Sequence, residues 1–165
     1  MEDLPPIKRK FRILERNVLI LIILPLPFFA LAYLYTTSPT RTIQIPEFPE
    51  FLDPFSLSLA IALLAFQQIN FQKKIRDIKG SGADLEEKFS RYAKATITRY
   101  WQLLMVGFLC AAGLFLYQNA GFTVAYAITL VLISVAKPSP ERIIRLFRLK
   151  GEERDLIYNI NRMEN

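Results

Sequence analysis

Residues 100–136 read YWQLLMVGFLCAAGLFLYQNAGFTVAYAITLVLISVA, a stretch without one Asp, Glu, Lys or Arg. Bilayer hydrocarbon is about 30 Å thick and a helix rises about 1.5 Å per residue, so one crossing takes about 20 apolar residues. This block is far longer than one crossing needs. Gln118, Asn119, Ala120 and Gly121 interrupt it with turn-forming residues, and the spacing predicts two crossings, 100–117 and 122–136, joined by a tight turn. The later one is short, which asks for a thinned bilayer or a turn set below the headgroups.

Two further apolar blocks lie upstream. Residues 18–35 carry no charge, and Pro25 and Pro27 sit near their middle. Proline lacks the backbone donor and crowds the preceding turn, so a kink is expected there. A basic start followed by an apolar run also resembles a secretory signal, with Ala30-Leu31-Ala32 as a cleavage site; it is read as an uncleaved first span. Residues 54–72 are apolar as far as Phe66, and then Gln67, Gln68, Asn70 and Gln72 crowd the end. The expected fold is all-α: a polytopic membrane protein with four transmembrane helices (18–35, 54–72, 100–117, 122–136). These form a single membrane domain over residues 1–165, with amphipathic cytoplasmic extensions.

The charges orient it. Of the 21 lysines and arginines, all but Arg41 fall before the first span, between the second and third, or after the fourth. Basic residues are retained in the cytoplasm, so both termini are expected inside, in a membrane of the bacterial inner type. Tyr100 and Trp101 at the inner edge, and Tyr35 and Tyr117 at the outer, suit aromatic belts.

The extensions follow a helical period. Leu4, Ile7, Phe11, Leu14 and Val18 share one face, as in an interfacial helix that feeds the first span. Residues 73–99 read as a helical hairpin. Leu64, Phe71, Ile75 and Ile78 line its incoming face, and Leu85, Phe89, Tyr92 and Thr96 its outgoing one. Asp84 stands three residues before Glu87, a capping-box spacing that predicts a helix start, and the helix from Asp84 to Tyr117 would be about 50 Å long. In the tail, 137–165, Ser139 suits an N-cap with Pro140 at the first helical position. Ile143, Ile144, Leu146 and Phe147 then oppose Arg142, Arg145 and Arg148, which are the expected contacts with an anionic inner leaflet. Gly151 is expected to end that helix. Leu156, Ile157, Ile160 and Met163 make another short stripe. The outer loop from Thr36 to Asp53 is proline-rich, with Thr42-Ile43-Gln44-Ile45 suited to an extended run, and either caps the bundle or seats a protein.

Little in the chain points to catalysis. It has no histidine, which removes histidine triads and histidine metal sites, and its one cysteine, Cys110, lies in an apolar block and reads as a small buried hydrophobe. Gly80-Ser81-Gly82 lacks the rest of a phosphate-binding loop. No cofactor, metal or catalytic residue is expected. The net charge of +6 sits in the flanks of the spans, so lipid rather than nucleic acid is the expected anionic partner. The spans hold no Asp, Glu, Lys or Arg, which argues against a proton-coupled carrier that relies on a membrane-embedded glutamate.

Two sets of residues remain as candidates. Ser58, Ala62 and Ala65 on the second span, with Gly107 and Ala111 on the third, would let helix backbones approach closely, within this chain or with another. Gln67, Gln68 and Asn70 would hydrogen-bond to neighbouring helices or line a polar path. The expected function is a non-enzymatic accessory, scaffold or regulatory subunit of a larger membrane complex, partnered by other membrane subunits or by copies of itself. The alternative is an oligomeric channel or small-solute transporter.

Overall fold

The computed structural model describes residues 6–38 and 48–158. Leu4, Pro5, Arg41, the Thr42–Ile45 run, Ile160 and Met163 lie outside them. Among the described residues every element is a helix: α1 (Pro6–Ile23), α2 (Pro25–Thr37), α3 (Leu52–Gly80), α4 (Leu85–Tyr117), α5 (Gly121–Ala136), α6 (Pro140–Phe147) and α7 (Glu152–Tyr158). Three helical stretches are long and apolar enough to cross a bilayer: Arg9–Thr37, which runs through α1 and α2, then α3, then α4. A fourth is reached if α5 and α6, bent by 75° at their junction, are taken as one span.

α4 is the central helix. It packs against α1, α2, α3 and α5, and Phe89, Leu103, Val106 and Cys110 along it are fully enclosed. α1 and α2 run beside it in the same direction. Lys10 pairs with Glu86 at 2.7 Å, Phe11 meets Phe89, and Pro25 lies against Gly107. Both prolines fall where the ladder breaks at Leu24, whose N–H still reaches the Ile20 carbonyl at 3.0 Å, so the chain stays helical through the break. The amphipathic face of α1 does not lie on lipid: Phe11, Leu14, Val18 and Leu21 are buried against the bundle.

The hairpin of α3 and α4 extends past the apolar blocks as the periodicity implies, with Leu64, Phe71, Ile75 and Ile78 facing Phe89, Tyr92 and Thr96 in the core. The capping box does not form. Asp84 is extended at the N-cap but makes no side-chain cap bond, and Glu87 turns to Arg91 at 2.6 Å instead. A one-turn ion pair competes for the same carboxylate.

The turn after α4 is built as its residues suggest. Gln118 takes the left-handed conformation (φ 54°) that ends α4. Asn119 ties the turn to the start of α3: its Nδ2 donates to both Asp53 carboxylate oxygens at 2.9 and 3.1 Å, and its Oδ1 accepts from Gly121 N at 2.8 Å. At the other end of α5, Tyr100 is a core residue and not part of an aromatic belt. It is 1% exposed, and its hydroxyl donates to the Ile133 carbonyl at 3.1 Å, one of the last-turn acceptors that the helix leaves unpaired. Trp101, the next residue, is half exposed.

Ser139 caps α6 as expected, its hydroxyl accepting from Arg142 N at 3.3 Å. α6 ends earlier than Gly151, at Phe147, where Arg148 adopts the left-handed conformation (φ 52°). The apolar face of α6 is turned to protein rather than lipid: Ile143 is fully buried and Phe147 meets the Tyr92 ring edge-on.

Candidate functional site

The end of the bundle that carries the α3–α4 turn and α6 is the basic end, and a buried arginine lies at its heart. Arg99 closes the charged part of α4, one residue before the charge-free block, and is 3% exposed. Its Nε donates to Gln67 Oε1 at 3.0 Å and its Nη2 to Gln68 Oε1 at 2.7 Å. Its guanidinium carbon stands 4.5 Å from the centre of the Phe71 ring. All three partners come from α3, within about one helical turn of one another. Among the described residues no carboxylate is within ion-pairing distance of Arg99. A buried charge is normally paired, because the loss of its hydration is otherwise uncompensated. Here neutral amides and a ring face supply part of that compensation.

Arg99 opens on one side into a groove of about 390 Å³ between α3, α4 and α6, with Gln68, Phe71, Ile75, Arg76, Lys79, Arg142 and Leu146 among its walls. A second groove of about 530 Å³ adjoins it across Lys79, Arg142 and Leu146, and adds Ser139, Glu141 and Arg145. Among the described residues Glu141 is the only carboxylate along either, against five cations: Arg76, Lys79, Arg99, Arg142 and Arg145. Arg142 is held in place by α5. Its Nη1 donates to the Val135 carbonyl, where the helix end is electronegative. Among the described residues the buried Gln67 Nε2 has no hydrogen-bond partner.

Gln67, Gln68 and Asn70 divide accordingly. Gln67 is fully buried and Gln68 half-buried, both committed to Arg99, whereas Asn70 takes no part in the network. Of Arg142, Arg145 and Arg148, the first two line the grooves. Arg148, at the left-handed end of α6, lines neither. Arg99 itself was not singled out by the sequence reading. The signal available was a cation at the foot of one span and paired glutamines at the foot of its antiparallel neighbour.

No family model, curated protein or solved structure matches this chain. What the site does must be read from its own geometry.

The small residues fall into two groups. Gly107 packs within the chain: a Cβ there would stand 3.0 Å from Pro25 Cβ, so its lack of a side chain lets α2 approach α4. Ser58, Ala62 and Ala65 are exposed, because α3 buries the neighbouring stripe of Ala60, Leu64, Gln67 and Phe71. Ala111 is buried at the floor of an apolar cleft of about 460 Å³ between α2 and α4. Two aromatic rungs bound that cleft. Phe28 meets Phe108 edge-on at 5.1 Å, and Tyr35 meets Phe115 at 5.0 Å. The rungs are seven residues apart on both helices, about 10 Å along the axis, with Ala32, Ala111 and Ala112 between them.

Proposed function

We propose that this membrane protein is a non-enzymatic accessory subunit, a small bundle that assembles with a larger membrane protein. In this reading α5 completes a fourth span, the basic end faces the cytoplasm of a bacterial-type inner membrane, and both termini lie on that side. The distribution of lysine and arginine supports that orientation.

The observation that carries the accessory role is the cleft between α2 and α4. It is walled by four aromatic rings and floored by alanines, and with α2 and α4 read as spans only lipid or another helix can fill it. Association in a bilayer is driven by packing rather than by hydrophobicity, and a hole with small residues at its base accepts a large apolar side chain from a neighbouring span. The exposed face of Ser58, Ala62 and Ala65 on α3 is a second surface of the same kind. The channel alternative loses its main support, since the oxygens of Gln67 and Gln68 are taken up by Arg99 and Gln67 is enclosed in the bundle.

The test is site-specific photocrosslinking in native membranes. A photoreactive amino acid replacing Phe108 should give one discrete protein adduct. The same probe replacing Val131, which is exposed on α5, should give none, and Ala112→Trp, which fills the cleft, should abolish the Phe108 adduct. Lipid adducts alone would refute the accessory role. So would an adduct at twice the 19.1 kDa chain mass, which would make the partner a second copy.

A further inference from the structure

We propose that the groove around Arg99 is a binding site for the phosphate headgroup of an anionic phospholipid. This is a built site and not a diffuse attraction of Arg142, Arg145 and Arg148 to the leaflet. It rests on the membrane reading but not on the accessory role, which uses a different surface.

The first ground is charge. Arg99 is enclosed in protein with no carboxylate partner among the described residues, and Arg76, Lys79 and Arg142 line the same groove. Like charges gathered in a partly desolvated space repel one another, and an anion bound among them removes that cost. Among the described residues no carboxylate lines the Arg99 groove, and the ion pairs Lys10–Glu86 and Arg91–Glu87 involve none of its residues.

The second ground is shape. Gln67 and Gln68 take the Nε and one Nη2 proton of Arg99, which fixes the plane of the guanidinium and leaves Nη1 with two unclaimed protons. A guanidinium held in plane suits two-point recognition of phosphate oxygens.

The third ground is depth. Arg99 and Tyr117 are about 27 Å apart along α4, close to the hydrocarbon thickness of about 30 Å. Arg99 therefore lies at the level where one leaflet's phosphates begin, and the half-exposed Trp101 beside it suits that boundary. The groove also offers Phe71, Ile75 and Leu146, apolar walls for the glycerol and upper acyl chain. A free phosphate ion has no use for those walls.

The experiment titrates the purified full chain, in neutral detergent, with phosphatidylglycerol, phosphatidylcholine or inorganic phosphate, and follows thermal stability. Phosphatidylglycerol should raise the Tm saturably, and the other two should leave it unchanged at matched concentration. The variant Arg76→Gln/Lys79→Gln removes two exposed groove cations and should weaken phosphatidylglycerol binding about thirtyfold, each cation contributing about fivefold. The control Lys73→Gln/Lys74→Gln removes two exposed charges outside the groove and should bind within about twofold of the unaltered chain. Arg76→Gln alone, in the Arg99 groove, should give a loss of about fivefold if the double variant fails to fold. Equal losses in the groove and control variants would reduce the effect to diffuse attraction and overturn the proposal. Equal stabilisation by phosphatidylcholine, or stabilisation by inorganic phosphate at the same concentration, would overturn it too.

Discussion

Gly113→Ala tests the close approach of α4 and α5 with a single methyl group. A Cβ at Gly113 would lie 2.3, 2.5 and 2.6 Å from Cε1, Cζ and Cδ1 of Phe122. These atoms are the far end of a side chain, which would make the clash cheap if the ring could move. It cannot move freely: Phe122 is fully buried and stacked against Tyr117, whose ring centre is 6.2 Å away. Overpacking of this kind costs about 1–3 kcal/mol. Alanine in place of glycine within a helix returns about 1 kcal/mol. Contacts this far under 3.0 Å, against a ring that is held, put the cost at about 2–3 kcal/mol, so the expected net loss is about 1–2 kcal/mol, a factor of about 5–30 in the folded-to-unfolded ratio. Reversible unfolding in mixed micelles, by titration with dodecyl sulfate, measures it. Phe122→Leu in the same chain removes the ring and should recover at least about 0.5 kcal/mol of the loss as a coupling term. If Gly113→Ala were as stable as the parent, or if Phe122→Leu left its penalty unchanged, the packing of this hairpin would be wrong.

Arg99→Leu should destabilise the bundle by about 2 kcal/mol, because the buried Gln67 carboxamide and the half-buried Gln68 lose their partner. The triple variant Arg99→Leu/Gln67→Leu/Gln68→Leu should recover most of this in the same unfolding assay, since removing both sides of a buried polar contact is nearly neutral. Ser139→Ala removes the cap of α6 and should cost about 1 kcal/mol locally. Hydrogen exchange over residues 140–147 should then quicken about fivefold, while exchange in α4 stays as it was.

The boundaries of the long helices were legible because they depend on local composition. The end of α4 at Tyr117 and the turn through Gln118–Gly121 follow from the break in an uncharged run, and the cap at Ser139 from its position before Pro140. What covers an amphipathic face was not legible. The stripe in α1 and the apolar face of α6 each satisfy the pattern of a helix lying on lipid, yet α1 packs on α4 and α6 buries Ile143 and sets Phe147 against Tyr92, because periodicity gives the direction of a face and not its neighbour. Arg99 was hidden for a related reason. It reads as the last cation of a connector, and only the antiparallel pairing of α3 with α4 brings it to glutamines 32 and 31 residues away. The Asp84–Glu87 spacing failed as a cap because Arg91, one turn on, competes for the glutamate. The face of Ser58, Ala62 and Ala65 is real as a pattern, but α3 buries the stripe beside it.

Sidedness decides the rest, and the single native thiol makes it directly measurable. Cys110 is buried, so Cys110→Ala should give a cysteine-free chain that folds normally. Single cysteines are then placed at exposed positions in that background: Gly82→Cys in the α3–α4 turn, Ala120→Cys in the α4–α5 turn, and Arg154→Cys in α7. With a membrane-impermeant maleimide on intact cells stripped of any outer barrier, Ala120→Cys should label, while Gly82→Cys and Arg154→Cys should label only after the membrane is opened. Labelling of Gly82→Cys from outside would invert the bundle. Labelling of Arg154→Cys together with Ala120→Cys would show that α5 does not cross.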